Sequence, residues 1–339
     1  MEVILSASCR QVAYPVTDAS HVAATRRAAN HLANRQGFDE SAAGRAALVI
    51  TEAATNILKH AGQGEILLRP LSEGEITGME ILALDQGPGM ASTRMSMQDG
   101  YSTAGTYGVG LGAIGRQSDE FDIYAPPGCG TALRMAIWSK SVPPPLEWQL
   151  GAVCLPIAGE DMCGDAWAAG LDESAASLLV ADGLGHGILA AEASEAAARL
   201  MVRYSEQPPA SMLERCHDAL RSTRGAAVSV VSVDTEKQEL RFAGVGNVAG
   251  YILSDEGRRQ MVSHNGIVGS NMQKAQEYAV RFSDNSMLIL HSDGLASRWD
   301  LEKYPGLLRQ HPSLIAAVLY RDFSRKRDDV SILVLRYGG

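Results

Sequence analysis

The sequence predicts an α/β (α+β) protein of two domains, and three observations carry that prediction. Runs with helical spacing of apolar residues alternate with short strand-like runs along the chain, the pattern of mixed α/β layers. A proline-rich segment, Lys140-Ser-Val-Pro-Pro-Pro-Leu-Glu-Trp148, interrupts the alternation. Three successive prolines continue neither helix nor sheet and favour a stiff, extended spacer. The length, 339 residues, exceeds what one core of roughly 100–200 residues needs. The expected division is therefore 1–138, a linker at 139–147, and 148–339. The two halves do not resemble one another, and no repeat of 20–50 residues is visible.

The elements of the first half follow in order. An Ala-rich stretch near Ser20–Gln36 reads as a helix. So does Glu40–His60, where Ala46, Val49, Ile50, Ala53 and Ile57 recur at helical spacing. Glu65–Leu71 and Met79–Leu84 read as strands, and Thr131–Trp138 as a closing strand. The second half shows strand-like runs at Ser177–Ala181, Ala226–Val233, Met287–His291 and Val330–Leu335. Two Ala/Leu-rich helices, near Leu189–Tyr204 and Ser211–Ser222, interrupt them.

Composition narrows the functional classes. With 46% hydrophobic and 20% charged residues the chain is globular rather than disordered. Its net charge is −9, and the parts on either side of Trp138 carry −4 and −5. Neither has the basic excess that a phosphate backbone demands, so nucleic acid is not an expected partner. No run approaches the ~20 apolar residues that span a bilayer, and the start MEVILSASCRQV lacks a signal peptide's basic region. Cys9, Cys129, Cys154, Cys163 and Cys216 are odd in number and form no CxxC. The expectation is a reduced, cytoplasmic protein without structural zinc and without a membrane partner.

Three segments of the first half suit a nucleotide. In Glu52-Ala-Ala-Thr-Asn56 the i,i+4 spacing puts carboxylate and amide on one helix face, roughly 100° from the apolar stripe. There they line a pocket or lie on a solvated flank. A carboxylate can act as general base on a hydroxyl, and an amide oxygen can hold Mg²⁺ near phosphates. Asp85-Gln-Gly-Pro-Gly-Met90 ends a strand with a carboxylate and with Gly87 and Gly89, which permit close approach of a ligand or make an ordinary turn. Gly108, Gly110 and Gly112 precede an apolar helix start, where backbone N–H groups bind anions. The competing reading is a flexible loop; no preceding strand supports a dinucleotide fold.

ExxxN, DxGxG, GxGxG and a late Gly130-Thr131 resemble the ordered boxes of the GHKL (HATPase) ATP-binding fold. The wording "TEAATNILKHAGQGEILL", "DQGPGM", "DGYSTAGTYGVGLGAIGRQSDEFDIY" and "GCGT" resembles the RsbT branch of the anti-sigma-factor serine/threonine kinases over nearly all of 1–138. That resemblance implies a sandwich with ATP between helices and a mixed sheet. It implies Asp85 at the adenine amino group with Thr131 beside it, and Asn56 on Mg²⁺. Glu52 would be the base toward the substrate hydroxyl, and Gly108, Gly110 and Gly112 would wrap the phosphates. No dimerising helical hairpin precedes the pocket, which argues against a histidine kinase.

The second half places acids at strand ends: Asp165 in Glu160-Asp-Met-Cys-Gly-Asp165, Asp182 in ADGLGHG, Asp293 in HSDGL and Asp329 in RDDVSILV. Each alone is an ordinary Asp-Gly turn or strand end. Four together suit hard divalent cations, which want carboxylates and carbonyls and relieve the repulsion of clustered acids. With "GVGNV" and "NGIVG" in order, the half resembles the SpoIIE/RsbX branch of type 2C metal-dependent phosphatases, with an α-β-β-α sandwich. The resemblance implies two Mn²⁺ or Mg²⁺ ions held by Asp182 as bridge, the Gly183 carbonyl, Asp165, Asp293 and Asp329. It leaves His186 as either an acid or a packing residue, and it does not separate Asp161 and Asp328 from their neighbours. The larger family's basic phosphate-binding residue is not recognisable near the start of this half. Together the halves predict a partner-switching regulator that phosphorylates a STAS-type (anti-sigma-antagonist or stressosome-like) protein and dephosphorylates phosphoserine or phosphothreonine. The alternative is a phosphatase whose ATP-binding module only sequesters a partner.

Overall fold

The computed structural model describes residues 3–6, 11–73, 76–93, 110–140 and 147–338. The expected proline spacer, Pro143–Pro145, and the phosphate-loop Gly108 lie outside them.

In one compact unit a five-stranded sheet has the order β2-β3-β4-β6-β5. Its strands are β2 (Val12–Val16), β3 (Gly64–Glu73), β4 (Ile76–Asp85), β5 (Glu120–Tyr124) and β6 (Thr131–Trp138). Every pairing in it is antiparallel, which corrects the expected mixed sheet. Hairpins join β3 to β4 and β5 to β6, and a hairpin can only return antiparallel; β2–β3 and β4–β6 are antiparallel across longer connections.

Helices α1 (Ala19–Arg35) and α2 (Glu40–His60) open on aspartate caps. Asp18 accepts from the Ser20 amide at 2.8 Å and Asp39 from the Ala42 amide at 2.7 Å, satisfying donors the helix leaves orphaned. The α2 stripe Ala46, Val49, Ile50, Ala53 and Ile57 is buried against Ile66, Ile81, Leu133 and Met135 of the sheet. A short α3 (Gly110–Gln117) adds Leu111 and Ile114 to the same core.

β6 is buried at all eight positions, so the sheet is covered on both faces. A helix distant in sequence, α6 (Pro312–Phe323), bonds the sheet. Ser313 donates to Glu80 at 2.8 Å and Tyr320 to Glu65 at 3.1 Å.

The other unit contains two antiparallel sheets. One has the order β1-β8-β9-β10-β11-β14, formed by β1 (Val3–Ser6), β8 (Asp165–Leu171), β9 (Ala175–Gly183), β10 (Ala226–Asp234), β11 (Glu239–Val245) and β14 (Tyr278–Arg281). The second has the order β13-β12-β15-β16-β7, formed by β7 (Trp148–Leu155), β12 (Ala249–Ser254), β13 (Gly257–Met261), β15 (Met287–His291) and β16 (Val330–Tyr337). Trp148, Trp167, Leu178, Phe242, Phe282, Leu290 and Leu333 belong to the core between them. Helices α4 (Ile188–Arg203) and α5 (Pro209–Leu220) cover the first sheet. Ala193 and Ala197 of α4 lie on Ala166 and Ala168 of β8, and such small side chains permit close approach of helix to sheet.

The compact units are not contiguous in the chain. β1 groups with 147–299 and 322–338, because Val3–Ser6 pairs with Leu171–Ala168. Residues 300–321 group with 11–140 through the bonds of α6. The boundaries expected at 1–138 and 148–339 therefore need two exchanges of chain. Among the described residues no helix is long and apolar enough to cross a membrane. Among the described residues Cys129, Cys154, Cys163 and Cys216 form no disulfide, and Cys9 lies outside the described residues.

Candidate functional sites

In the nucleotide-binding unit, α2 brings Glu52 and Asn56 to its half-buried flank, beside the packing stripe rather than within it. Gly110, the first residue of α3, faces them. A Cβ there would stand 3.1 Å from Glu52 Oε2 and 3.4 Å from Asn56 Oδ1. The carboxylate, the amide and the helix N-terminus thus converge on one point, and a glycine is what admits them.

Across the sheet, Asp85 at the end of β4 pairs in register with Thr131 at the start of β6. Its Oδ1 accepts from the Gly87 amide at 2.8 Å and the Thr131 amide at 3.2 Å. Burial pushes the Asp85 carboxyl above its ordinary pKa, and these amides oppose the shift. Gly89, at φ +72°, passes so near the Pro126 carbonyl that a Cβ would lie 2.2 Å from it. Gly112 is buried within α3.

Sequence reading missed Arg321. This α6 side chain donates to the carbonyls of Asp85 at 2.9 Å, Thr131 at 3.3 Å and Cys129 at 2.7 Å. It ties both sides of the expected adenine site from 236 residues away. No local pattern could have signalled it.

In the other unit, Asp165 and Asp182 are direct partners across β8 and β9. Asp165 is buried, and its Oδ2 has no hydrogen-bond partner. Burial, then Asp182 and other neighbours, drive its carboxyl well above the usual range. Burial, then Asp293, Asp328 and Asp329, push Asp182 up to about 7. Gly183 runs against α4, where a Cβ would meet the Ala190 carbonyl at 2.1 Å, and this closeness fixes the turn after Asp182.

Asp293 leaves β15 behind an ordered aromatic cluster. Buried His291 accepts at Nε2 from Trp299 Nε1 (3.2 Å) while its Nδ1 lies 2.8 Å from the Ser292 carbonyl. Burial lowers its pKa to about 4, so the ring is neutral and serves as a spacer. Asp293 Oδ2 accepts from Asn247 at 2.5 Å. Asp329 accepts from the Ile157 and Gly164 amides, both at 2.8 Å, whereas its neighbour Asp328 is exposed. His186 is exposed and pairs with Glu160 at 2.7 Å.

These acids are electrostatic neighbours, yet among the described residues no three His, Cys, Asp or Glu side chains converge tightly enough to chelate one ion as placed. Asp293 and Asp329 are drawn instead toward Asn247 and the two amides. The donor set still fits hard divalent cations: a buried carboxylate oxygen without a donor, among mutually repelling acids, is the environment a cation compensates.

One unit is a histidine kinase-like ATPase domain and the other a phosphatase-like domain, as comparison with known proteins shows. Residues 15–137 match the histidine kinase-like ATPase domain family, and 172–338 match stage II sporulation protein E (SpoIIE). Two proteins of Bacillus subtilis (strain 168) are similar to separate parts of the chain. The serine/threonine-protein kinase RsbT is 35% identical over 119 residues, 35% of this chain and 90% of RsbT. The phosphoserine phosphatase RsbX is 32% identical over 138 residues, 40% of this chain and 69% of RsbX.

Among solved structures, one from a study of the bacterial stressosome matches 56% of this chain and 99% of its own (TM-score 0.53, 28% identity). RsbX in complex with magnesium matches 56% and 96% (TM-score 0.51, 26% identity). The chain belongs to the RsbT kinase family in its nucleotide-binding unit and to the RsbX/SpoIIE phosphatase family in the other.

Proposed function

We propose that the chain is a bifunctional partner-switching regulator. Its nucleotide-binding unit phosphorylates a serine or threonine of a STAS-type protein, and its other unit removes phosphate from phosphoserine or phosphothreonine. The observation that carries the kinase half is the convergence of Glu52 and Asn56 on Gly110. A module that only held ATP would need the amide, the glycines and Asp85; a carboxylate one helical turn from the amide is what transfer to a hydroxyl would add. Asp85 would receive the adenine amino group beside Thr131 and Gly87, with Gly89 shaping the turn. Asn56 would hold Mg²⁺, the amides of Gly108, Gly110 and Gly112 would face the phosphates, and Glu52 would accept the hydroxyl proton.

For the phosphatase half, Asp165, Asp182, the Gly183 carbonyl, Asp293 and Asp329 would hold two Mg²⁺ or Mn²⁺ ions. When bound, such ions neutralise the acids and activate water for attack on phosphorus. The buried Asp165 Oδ2 without a donor and the high Asp182 pKa support that reading. Two opposed activities on one target would only consume ATP, so the two units act on different phosphoproteins or one is held inactive until a partner binds.

The deciding experiment mixes the full chain, Mg-ATP and a purified STAS-domain protein. Glu52→Ala should abolish phosphoprotein formation and retain ADP binding. Unchanged transfer would remove Glu52 from the role of base. Nucleotide turnover by the parent without any phosphoprotein would instead favour the sequestering module.

A further inference from the structure

We propose that Arg224 is the phosphate-binding residue of the phosphatase unit, taking the place of the basic residue that the start of this half lacks. The inference rests on the phosphatase reading above. β9 and β10 pair with Asp182 opposite Ala227 and Gly183 opposite Ala226. The antiparallel register continues past the strand ends, where the Leu184 amide donates to the Gly225 carbonyl at 3.1 Å. The next pair in that register is Gly185 and Arg224. The side chain lies there: a Cβ on Gly185 would stand 3.1 Å from Arg224 Nη1. Gly185, at φ +87°, both adopts the turn and leaves room for the guanidinium.

Two further features suit a substrate phosphate. Arg224 is exposed and makes no ion pair with any described residue, although the acids of the metal set lie on the neighbouring strand ends. Of the other arginines, Arg221 pairs with Asp218 and Arg199 with Glu195, while Arg325 and Arg327 are exposed on the segment that leads to Asp328 and Asp329, outside the Gly185–Arg224 register pair. Leu184 and Ile188 of the same turn are 39% and 66% exposed, so the guanidinium opens onto an apolar rim that a protein substrate can reach.

Charge completes the argument. Four aspartates and two divalent cations cancel, and a phosphate dianion needs further positive charge. A guanidinium supplies it with a planar, forked donor set matched to phosphate oxygens.

The test uses the full chain with Ca²⁺ in place of Mn²⁺, a fluorescein-labelled phosphoserine peptide and its unphosphorylated twin. Arg224→Ala should weaken phosphopeptide binding about ten- to a hundredfold, the loss expected for a charge-assisted contact. Arg224→Lys should recover part of it, and the unphosphorylated peptide should not respond. With Mn²⁺, KM should rise by a similar factor while kcat falls less than about threefold, the signature of lost ground-state binding. Mn²⁺ affinity, measured by titration calorimetry, should match the parent. Phosphopeptide binding and KM within twofold of the parent would overturn the proposal, as would a loss that only follows weakened Mn²⁺ binding. A parent chain that hydrolyses no phosphoserine peptide with Mn²⁺ would overturn the phosphatase reading itself, and Arg224 with it. Hydrolysis by the parent with no response in Arg224→Ala would overturn Arg224 alone.

Discussion

Glu80 and Asp182 are both carboxylates carried on sheets, one in each unit, and their surroundings drive them in opposite directions. Burial alone would raise Glu80, but Arg69 at 2.6 Å and Arg134 at 3.1 Å, with Ser313 at 2.8 Å, bring it down to about 2. Arg134 is itself held by Glu120 and Asp122, and burial is outweighed so that its pKa rises. Asp182, opposite Asp165 across the strands, is raised by burial first and then by Asp293, Asp328 and Asp329, to about 7, with no cation to oppose them. The first set is complete within the chain and is structural. The second lacks cations of its own, and that deficit distinguishes a site from a strut.

The largest effect should come from Asp182→Asn. Asp182 is the proposed bridging ligand of two ions, and its loss should lower phosphoserine hydrolysis by more than about a hundredfold, the upper end for merely outer-shell partners. With the metals chelated, the same substitution should raise the melting temperature. The raised pKa means the charged form is disfavoured in the folded chain. Metal-free stability should therefore decline as pH rises from about 4 through 7 in the parent and less steeply in the variant. A variant that melts below the parent at pH 8 in chelator would break the contrast with Glu80.

Glu80→Gln should act the other way. It leaves Arg69 and Arg134 without their shared anion and should cost about 3–5 kcal/mol in urea unfolding of the full chain. Because the folded pKa is lowered, Glu80's contribution is present above the unfolded value near 4.5 and is lost as pH falls toward 2. Unchanged stability at pH 7 would show the cluster to be dispensable.

Arg321→Ala should produce a smaller, local effect. The carbonyls of Asp85, Thr131 and Cys129 would lose one shared donor, and ADP affinity by calorimetry should fall about five- to tenfold. An unchanged affinity would make the clamp part of the scaffold alone.

What could be read from the sequence followed from local pattern. Glu40–His60 was legible to the residue because its apolar stripe is periodic, and the structure adds the Asp39 cap that fixes its start. Thr131–Trp138 was legible because it is a short, mostly apolar run behind a Gly turn. The helix Pro312–Phe323 was not. Nine consecutive buried residues, Pro312–Tyr320, leave no polar face and therefore no period to detect. Arg321 and Arg224 were silent for a related reason. Each acts on residues that only strand register or chain return brings near, and an exposed or helical arginine has no signature of its own. The four aspartates could be proposed from their strand-end positions, but only the pairing of β8 with β9 places Asp165 against Asp182.

The smallest effect tests whether His186 belongs to the acid cluster or to the surface beside it. Its side chain is 62% exposed and its one ion pair is with Glu160, itself 35% exposed. Such a pair gains little in water, and His186→Ala should change stability by no more than about 0.5 kcal/mol. The ring nevertheless stands on the turn between Asp182 and α4, within electrostatic reach of Asp328 and Asp329. If it donates a proton to the leaving hydroxyl, kcat for a phosphoserine peptide should fall more than about tenfold in His186→Ala. That loss should shrink for an aryl phosphate, whose leaving group needs no acid. Equal, small losses on both substrates would place His186 with Glu160 as a surface pair. Electrostatic proximity to the metal set would then not suffice to make a side chain part of the chemistry.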